Sequence, residues 1–192
     1  MASKIKLLNS SGKTLEIKND DNALTDKVVS YFDTVAELAG YVGTDGDVCH
    51  VSDVNRGGIF VYDSTATNND GTVFGKCVRQ YVGAINVKWF GAVGNFDETL
   101  GVGIDDREAI QLCFDYLKTK SSSTLIIPPG NYYLGTGYTD VSIGVQVILG
   151  GLTANSINNL TVIAYGATFY QGVQSRAFSV SGANNVAIHG LS

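Results

Sequence analysis

Charge is scarce in this sequence. Asp, Glu, Lys and Arg make up 16% of its 192 residues, against about a quarter in an ordinary globular protein. Proline is scarcer still, with 2 residues, while glycine reaches 23. Low charge with abundant Gly, Asn, Ser and Thr fits an all-β chain with frequent tight turns and excludes a disordered one. The net charge of −5, without any Lys/Arg cluster, removes the electrostatic footprint of nucleic-acid binding. The three cysteines, Cys49, Cys77 and Cys113, cannot all pair, and none lies at a metal-ligand spacing from another. No apolar run approaches the ~20 residues of a membrane helix. Met1-Ala2-Ser3-Lys4-Ile5-Lys6 has no apolar h-region, so no secretory signal is expected, and free thiols fit folding in a reducing compartment.

What the sequence does have is a structured stretch from Val87 to Leu134. Val87-Lys88-Trp89-Phe90 reads as a short apolar strand entering the loop Gly91-Ala92-Val93-Gly94. Asp105 to Lys120 reads as one amphipathic helix. Asp105 stands three residues before Glu108 in a capping-box pattern, and Asp106 adds negative charge in the first turn. Ile110, Cys113, Phe114 and Leu117 fall at i, i+3, i+4 and i+7, one apolar stripe that makes Cys113 a buried thiol. Lys118 and Lys120 follow at the C-terminal end, and Ser121-Ser122-Ser123 stops the helix. Leu125-Ile126-Ile127 is a buried strand that must end at Pro128, because proline cannot donate to a ladder. Gly130 permits a positive φ, and a second strand starts at Tyr132.

Trp89-Phe90-Gly91-Ala92-Val93-Gly94, Asp105-Asp106-Arg107-Glu108-Ala109-Ile110-Gln111 and Ile127-Pro128-Pro129-Gly130-Asn131-Tyr132 together resemble the opening of pectate-lyase-like right-handed β-helix proteins, bacteriophage tailspikes above all. The resemblance spans about Val87 to Ser192. It departs from the family at Asn95 to Gly103, where a shorter Gly-Asp-Gly loop is usual, and this affects the loop conformation only. The segment from Thr34 through Gly58-Ile59-Phe60-Val61-Tyr62-Asp63 to Trp89 more loosely resembles the small domain that precedes the β-helix in many tailspikes.

Ahead of that stretch, Ile5 to Leu8 and Leu15 to Ile17 flank Asn9-Ser10-Ser11-Gly12 as a hairpin, followed by a polar break at Asn19 to Asn22. Ala23 to Phe32 is either an extended connector or a short helix. Residues 1–32 form an N-terminal arm that docks on a virion or adaptor protein, or packs on its own trimer. Thr34-Val35-Ala36-Glu37 is a second capping box, opening a short helix that Gly40 stops. Strands follow at Asp47 to Val51, Ile59 to Tyr62, Val73-Phe74, Val78 to Val82 and Ile85 to Val87, so residues 33–86 form a small β-rich domain.

Residues 87–192 then form a capping helix and the first coils of the solenoid. Asn158-Asn159-Leu160-Thr161-Val162 and Asn184-Asn185-Val186-Ala187-Ile188 share one pattern at a coil-like interval, with Ala177 to Val180 as another strand between them. A solenoid needs at least three units and a terminal cap, so the chain is expected to be the first part of a longer one.

The candidate chemical groups have simpler structural uses. Asp105 and Asp106 serve a helix N-terminus. Asp45, Asp47 and Asp53 lack the closing Glu of a calcium loop and read as turn residues. His50 and His189 have no nucleophile or carboxylate at a telling spacing, and Cys49 and His50, adjacent in a strand, face opposite ways. Trp89, Phe90, Tyr132, Tyr133, Tyr165, Phe169, Tyr170 and Phe178 line either a sugar groove or, more in keeping with alternating strands, the core and a trimer contact. Glycoside-cleaving members of the family use two carboxylates on the solenoid flank, yet from Thr124 onward Asp140 is the only acid. No catalytic, cofactor-binding or metal residue is therefore assigned, and no cofactor.

The expectation is an all-β chain with one capping helix, assembled as a homotrimer. The resemblance implies a phage-tail location, production in host cytoplasm, docking to the tail or an adaptor, and a full-length depolymerase of bacterial surface polysaccharide. A non-enzymatic hub of the tail and a fragment of a bacterial polysaccharide lyase or epimerase are the alternatives.

Overall fold

The computed structural model describes residues 4–7, 14–18, 29–135, 147–148, 157–171, 178–179 and 184–191. It divides into two compact units, Met1–Val82 and Gly83–Ser192.

Among the described residues, the first unit is a sheet with one short helix. Its elements are β1 (Lys4–Leu7), β2 (Thr14–Lys18), β3 (Val29–Phe32), α1 (Val35–Ala39), β4 (Val48–Val51), β5 (Gly58–Tyr62), β6 (Val73–Phe74) and β7 (Cys77–Arg79). The strand order is β1-β2-β3-β4-β5-β7-β6. Every pairing is antiparallel except β3 with β4, and that parallel pair requires the crossover that α1 supplies. The capping box at Thr34 is real: Thr34 Oγ1 accepts from the Glu37 amide at 3.2 Å, and Gly40 closes the helix. Glu37 reaches back to the Asp33 amide at 3.0 Å, one residue beyond the usual partner. Val35 and Leu38 of α1 pack on Cys49, Val51, Phe60, Tyr62, Phe74 and Cys77, the core of this unit. Of the connector expected over Ala23 to Phe32, Val29–Phe32 is a strand, and residues 23–28 lie outside the described residues.

The second unit opens with β8 (Ile85–Asn86) and a 3₁₀ turn over Val87–Phe90. The strand expected through Phe90 therefore stops at Asn86. The cause is local: the Asn86 side chain accepts from the Lys88 amide at 2.9 Å and turns the chain, and Gly91 ends the turn in the left-handed region. Next come α2 (Arg107–Leu117), β9 (Ser123–Ile126), β10 (Gly130–Leu134), β11 (Val147–Ile148), β12 (Leu160–Gln171), β13 (Phe178–Ser179) and β14 (Val186–Leu191). Helix α2 is shorter than Asp105 to Lys120, with Asp106 as N-cap and Lys118 as C-cap. Ile110, Cys113, Phe114 and Leu117 are all fully buried, as the stripe predicts. Each such burial contributes about 2 kcal/mol, and desolvation alone raises the pKa of the Cys113 thiol.

Among the described residues, every pairing between strands of this unit is parallel. One face stacks β8, β9, the first half of β12 and β14, while a second stacks β10 on the rest of β12. A third pairs β11 with β13. Strands that recur in order on three parallel faces are the opening of a β-helix. Asn158 and Asn159 stack under Asn184 and Asn185, 26 residues on, with Asn185 Nδ2 donating to Asn159 Oδ1 at 3.0 Å and the Asn184 amide to Asn158 Oδ1 at 3.0 Å. The coil before it is longer, since Ser122 sits under Asn159 at a separation of 37.

Candidate functional site

The three sequence pieces that carry the family resemblance meet at the start of the solenoid. Asp106 lies between them with 0% exposure. Its carboxylate accepts from the Val93 amide and, at 3.0 Å, from the Gly94 amide, while its own amide donates to the Tyr133 carbonyl at 2.8 Å. Burial raises its pKa, opposed by those amides and by the charge of Lys88. Lys88 Nζ donates to the Val93 carbonyl at 2.7 Å.

The loop thereby becomes the rung preceding β10: the Asn131 amide donates to the Gly94 carbonyl at 3.1 Å, and the Phe96 amide to the Asn131 carbonyl at 2.9 Å. Gly94 must be glycine, because its φ is +65° and a Cβ would stand 2.8 Å from the Tyr132 ring. A Cβ on Gly130 would stand 2.8 Å from the Gly94 carbonyl oxygen. The two acids thus divide their work differently from a capping box. Asp105 Oδ1 accepts from the Arg107 and Gly135 amides, both at 3.0 Å, and Asp106 makes no side-chain cap bond. The tertiary amides of Val93 and Gly94 claim the Asp106 carboxylate in place of the helix N-terminus.

Above this knot the longer loop folds into a wall. Asp97 Oδ1 caps the Thr99 and Leu100 amides at 2.9 and 3.0 Å, and Asn95 Oδ1 accepts from the Ile104 amide at 3.0 Å. Phe96 stacks on Tyr133 with centroids 4.8 Å apart and lies 5.0 Å from the Tyr170 ring. Tyr170 Oη donates to Glu98 Oε2 at 3.2 Å. Gly94 to Thr99, Gly130, Asn131 and Tyr170 enclose an open groove of about 560 Å³. Its aromatic wall beside carboxylate and amide groups can hold a hydroxyl-bearing ligand by stacking and hydrogen bonds.

The remaining sequence candidates scatter. Asp45 accepts from the Ser64 amide and hydroxyl of a different loop, while Asp47 accepts from Tyr41 Oη and the Thr44 amide, and Asp53 from the Asn55 and Arg56 amides, within their own turn regions. His50 lies 5.4 Å from the Tyr31 ring, on the sheet face opposite Cys49, and His189 is exposed on β14. Phe90 and Tyr132 are core residues, Trp89 and Phe169 are half-buried, and Tyr165 is exposed. Phe178 is described only by its backbone in β13, and Asp140 lies outside the described residues. Among the described residues no cluster of three or more His, Cys, Asp or Glu is placed to hold a metal ion.

Three features escape sequence reasoning. Phe96 and Glu98 join the groove only through the fold of the long loop. Cys49 and Cys77 come together, with their sulfurs 4.0 Å apart and buried, because β4 and β7 flank β5. The shared hydrogen bond, and then burial, raises the Cys49 pKa, while that bond favours the Cys77 thiolate. Arg79, 5% exposed, donates to the Arg56 and Gly57 carbonyls and stacks over Phe60 at 4.5 Å. Burial, then the neighbouring Arg56 charge, lowers its pKa to about 10.

Fold and knot together define a β-rich unit followed by the helix-associated opening of a parallel β-solenoid. No family model matches the sequence, and no curated protein matches it. Among solved structures, the chain is similar to the tailspike protein of Acinetobacter phage vB_ApiP_P1, with 22% identity and a TM-score of 0.43. The match covers 83% of this chain and 29% of that one, so the chain spans under a third of that tailspike's length. No described helix is long and apolar enough to cross a membrane.

Proposed function

We propose that this chain is the virion-attaching, β-helix-initiating part of a bacteriophage tailspike. In this reading residues 1–32 and 33–86 are the arm and small domain that dock to the tail or an adaptor. Residues 87–192 start a right-handed, pectate-lyase-like β-helix. The whole protein is a homotrimer carried on the virion, and its later coils bind and depolymerise a bacterial capsule or O-antigen.

The observation that carries the reading is the Asp106 knot. The Trp89–Gly94 loop, the helix start at Asp106 and the turn into β10 hydrogen-bond to one another at the first rung. Those are the same three pieces on which the family resemblance rests. The test mixes the purified chain with isolated phage tails stripped of their spikes. The chain should co-sediment with the tails and block the re-attachment of intact spikes. A chain that stays in the supernatant and leaves re-attachment unchanged would sink the docking role.

A further inference from the structure

Cys49 and Cys77 share the core of the first unit with Val35, Leu38, Val51, Phe60, Tyr62 and Phe74. Both are 0% exposed, and their sulfurs meet at 4.0 Å in a thiol hydrogen bond. The strands that carry them are not neighbours. Cys49 on β4 stands opposite Phe60, Cys77 on β7 stands opposite Tyr62, and both of those aromatics belong to β5, which runs between. Two interstrand spacings set the backbones of β4 and β7 roughly 9–10 Å apart. A disulfide holds its Cα atoms within about 7 Å. The side chains reach across β5 far enough for a hydrogen bond, but a covalent bond needs β4 and β7 to close by about 2 Å or more. The backbone of β5 already fills that space, and Phe60 and Tyr62 are core residues.

We propose that this pair makes folding of the first unit redox-sensitive: the unit forms while both thiols are free, and a Cys49–Cys77 disulfide made beforehand excludes it. In the unfolded chain the two cysteines are 28 residues apart, a loop that a flexible chain closes readily. The co-reactant is a low-molecular-mass disulfide such as oxidised glutathione. One cysteine thiolate attacks it, forming a mixed disulfide and releasing a glutathione thiolate, and the second cysteine thiolate then displaces the other glutathione. The protein pair is oxidised to a disulfide, the glutathione disulfide is reduced to its thiols, and the cysteine protons end on those thiols. In the folded unit the same exchange has no path, because neither sulfur is accessible to the oxidant. The order of events therefore decides the outcome. Folding first shields the thiols, and oxidation first blocks the fold.

The test uses the full chain carrying Cys113→Ala, which leaves this pair as its only thiols. The variant is unfolded in urea, oxidised with glutathione disulfide, freed of glutathione adducts and returned to buffer without urea. The linked chain should lack slow amide exchange across β4, β5 and β7, and dithiothreitol should restore it. The folded variant, given the same oxidant without urea, should keep both thiols. If Cys113→Ala does not fold when reduced, the unsubstituted chain serves, with its Cys49–Cys77 form isolated and identified by peptide mass. A linked chain that keeps the exchange protection of the reduced one overturns the proposal. So does a link that forms as fast in the folded chain as in urea, or a failure of the unfolded chain to form it. A blocked chain that dithiothreitol does not rescue also overturns it, since the link is then not what blocks folding.

Discussion

Arg79 and Asp106 are ions buried for opposite reasons. Arg79 inserts a donor fork beneath two turns, and its partners at Arg56 and Gly57 are backbone carbonyls. Replacing it by methionine keeps the stacking volume over Phe60 but leaves two part-buried carbonyls without that donor, so Arg79→Met should lower stability by about 2–4 kcal/mol in urea unfolding. A loss under about 0.5 kcal/mol would mean that those turns hold themselves. Asp106 is buried and serves the Val93 and Gly94 amides, whereas Asp105 is exposed. Asp106→Ala should therefore lower stability by about 2–4 kcal/mol, and Asp105→Ala by about 1 kcal/mol or less. The reverse order would restore Asp105 as the group on which the helix start depends. Because burial holds the Asp106 pKa above its unfolded value, the folded protein binds that proton more tightly than the unfolded chain does. The resulting stabilisation is full below the ordinary aspartate range and is lost as pH rises through the elevated value. Asp106→Asn has no proton to lose, so raising pH from about 3 to about 7 should shift the stability difference against the wild type. A difference that stays flat would remove burial as the dominant influence.

At the scale of elements, the coils are aligned by asparagine as well as by the sheet. Asn159 and Asn185 adopt φ of 52° and 54°, a conformation asparagine tolerates better than most residues. Asn159 Nδ2 reaches down to the Ser121 carbonyl at 3.2 Å, and Asn185 reaches down to Asn159. Alanine loses both bonds and strains the backbone, whereas glycine loses the bonds alone. Urea unfolding should therefore show Asn159→Ala costing about 2–3 kcal/mol and Asn159→Gly about 1 kcal/mol. Equal losses in the two variants would rule out backbone strain as part of the alignment.

At the scale of the molecule, the chain is two compact units joined near Val82, which is fully exposed, and Gly83. Brief digestion with chymotrypsin should cut first at Tyr81 or in the residues just after it. It should leave two fragments, ending near Val82 and beginning near Gly83, that keep protease-resistant cores. Early cleavage within β4 to β7, or loss of one fragment as soon as the link is cut, would show that the units do not hold their folds independently.

Local patterns carried much of this architecture. The stripe from Ile110 to Leu117, the Pro128-Pro129 stop, the cap at Thr34 and the Asn-Asn repeat each act over a few residues or recur at a visible interval, so α1, α2, β9, β10, β12 and β14 are legible in the chain itself. Their parallel stacking was legible only through the repeat and the family resemblance. Tertiary structure decided the rest, because those features depend on which strands become neighbours. Asn86 turned an apolar stretch into a 3₁₀ turn, and the Val93 and Gly94 amides drew Asp106 away from the helix end. Register across β3 to β7 lined up five valines from separate strands into one row. No spacing along the sequence encodes that row, since alternation assigns each residue a side of its own strand but not the residue opposite it.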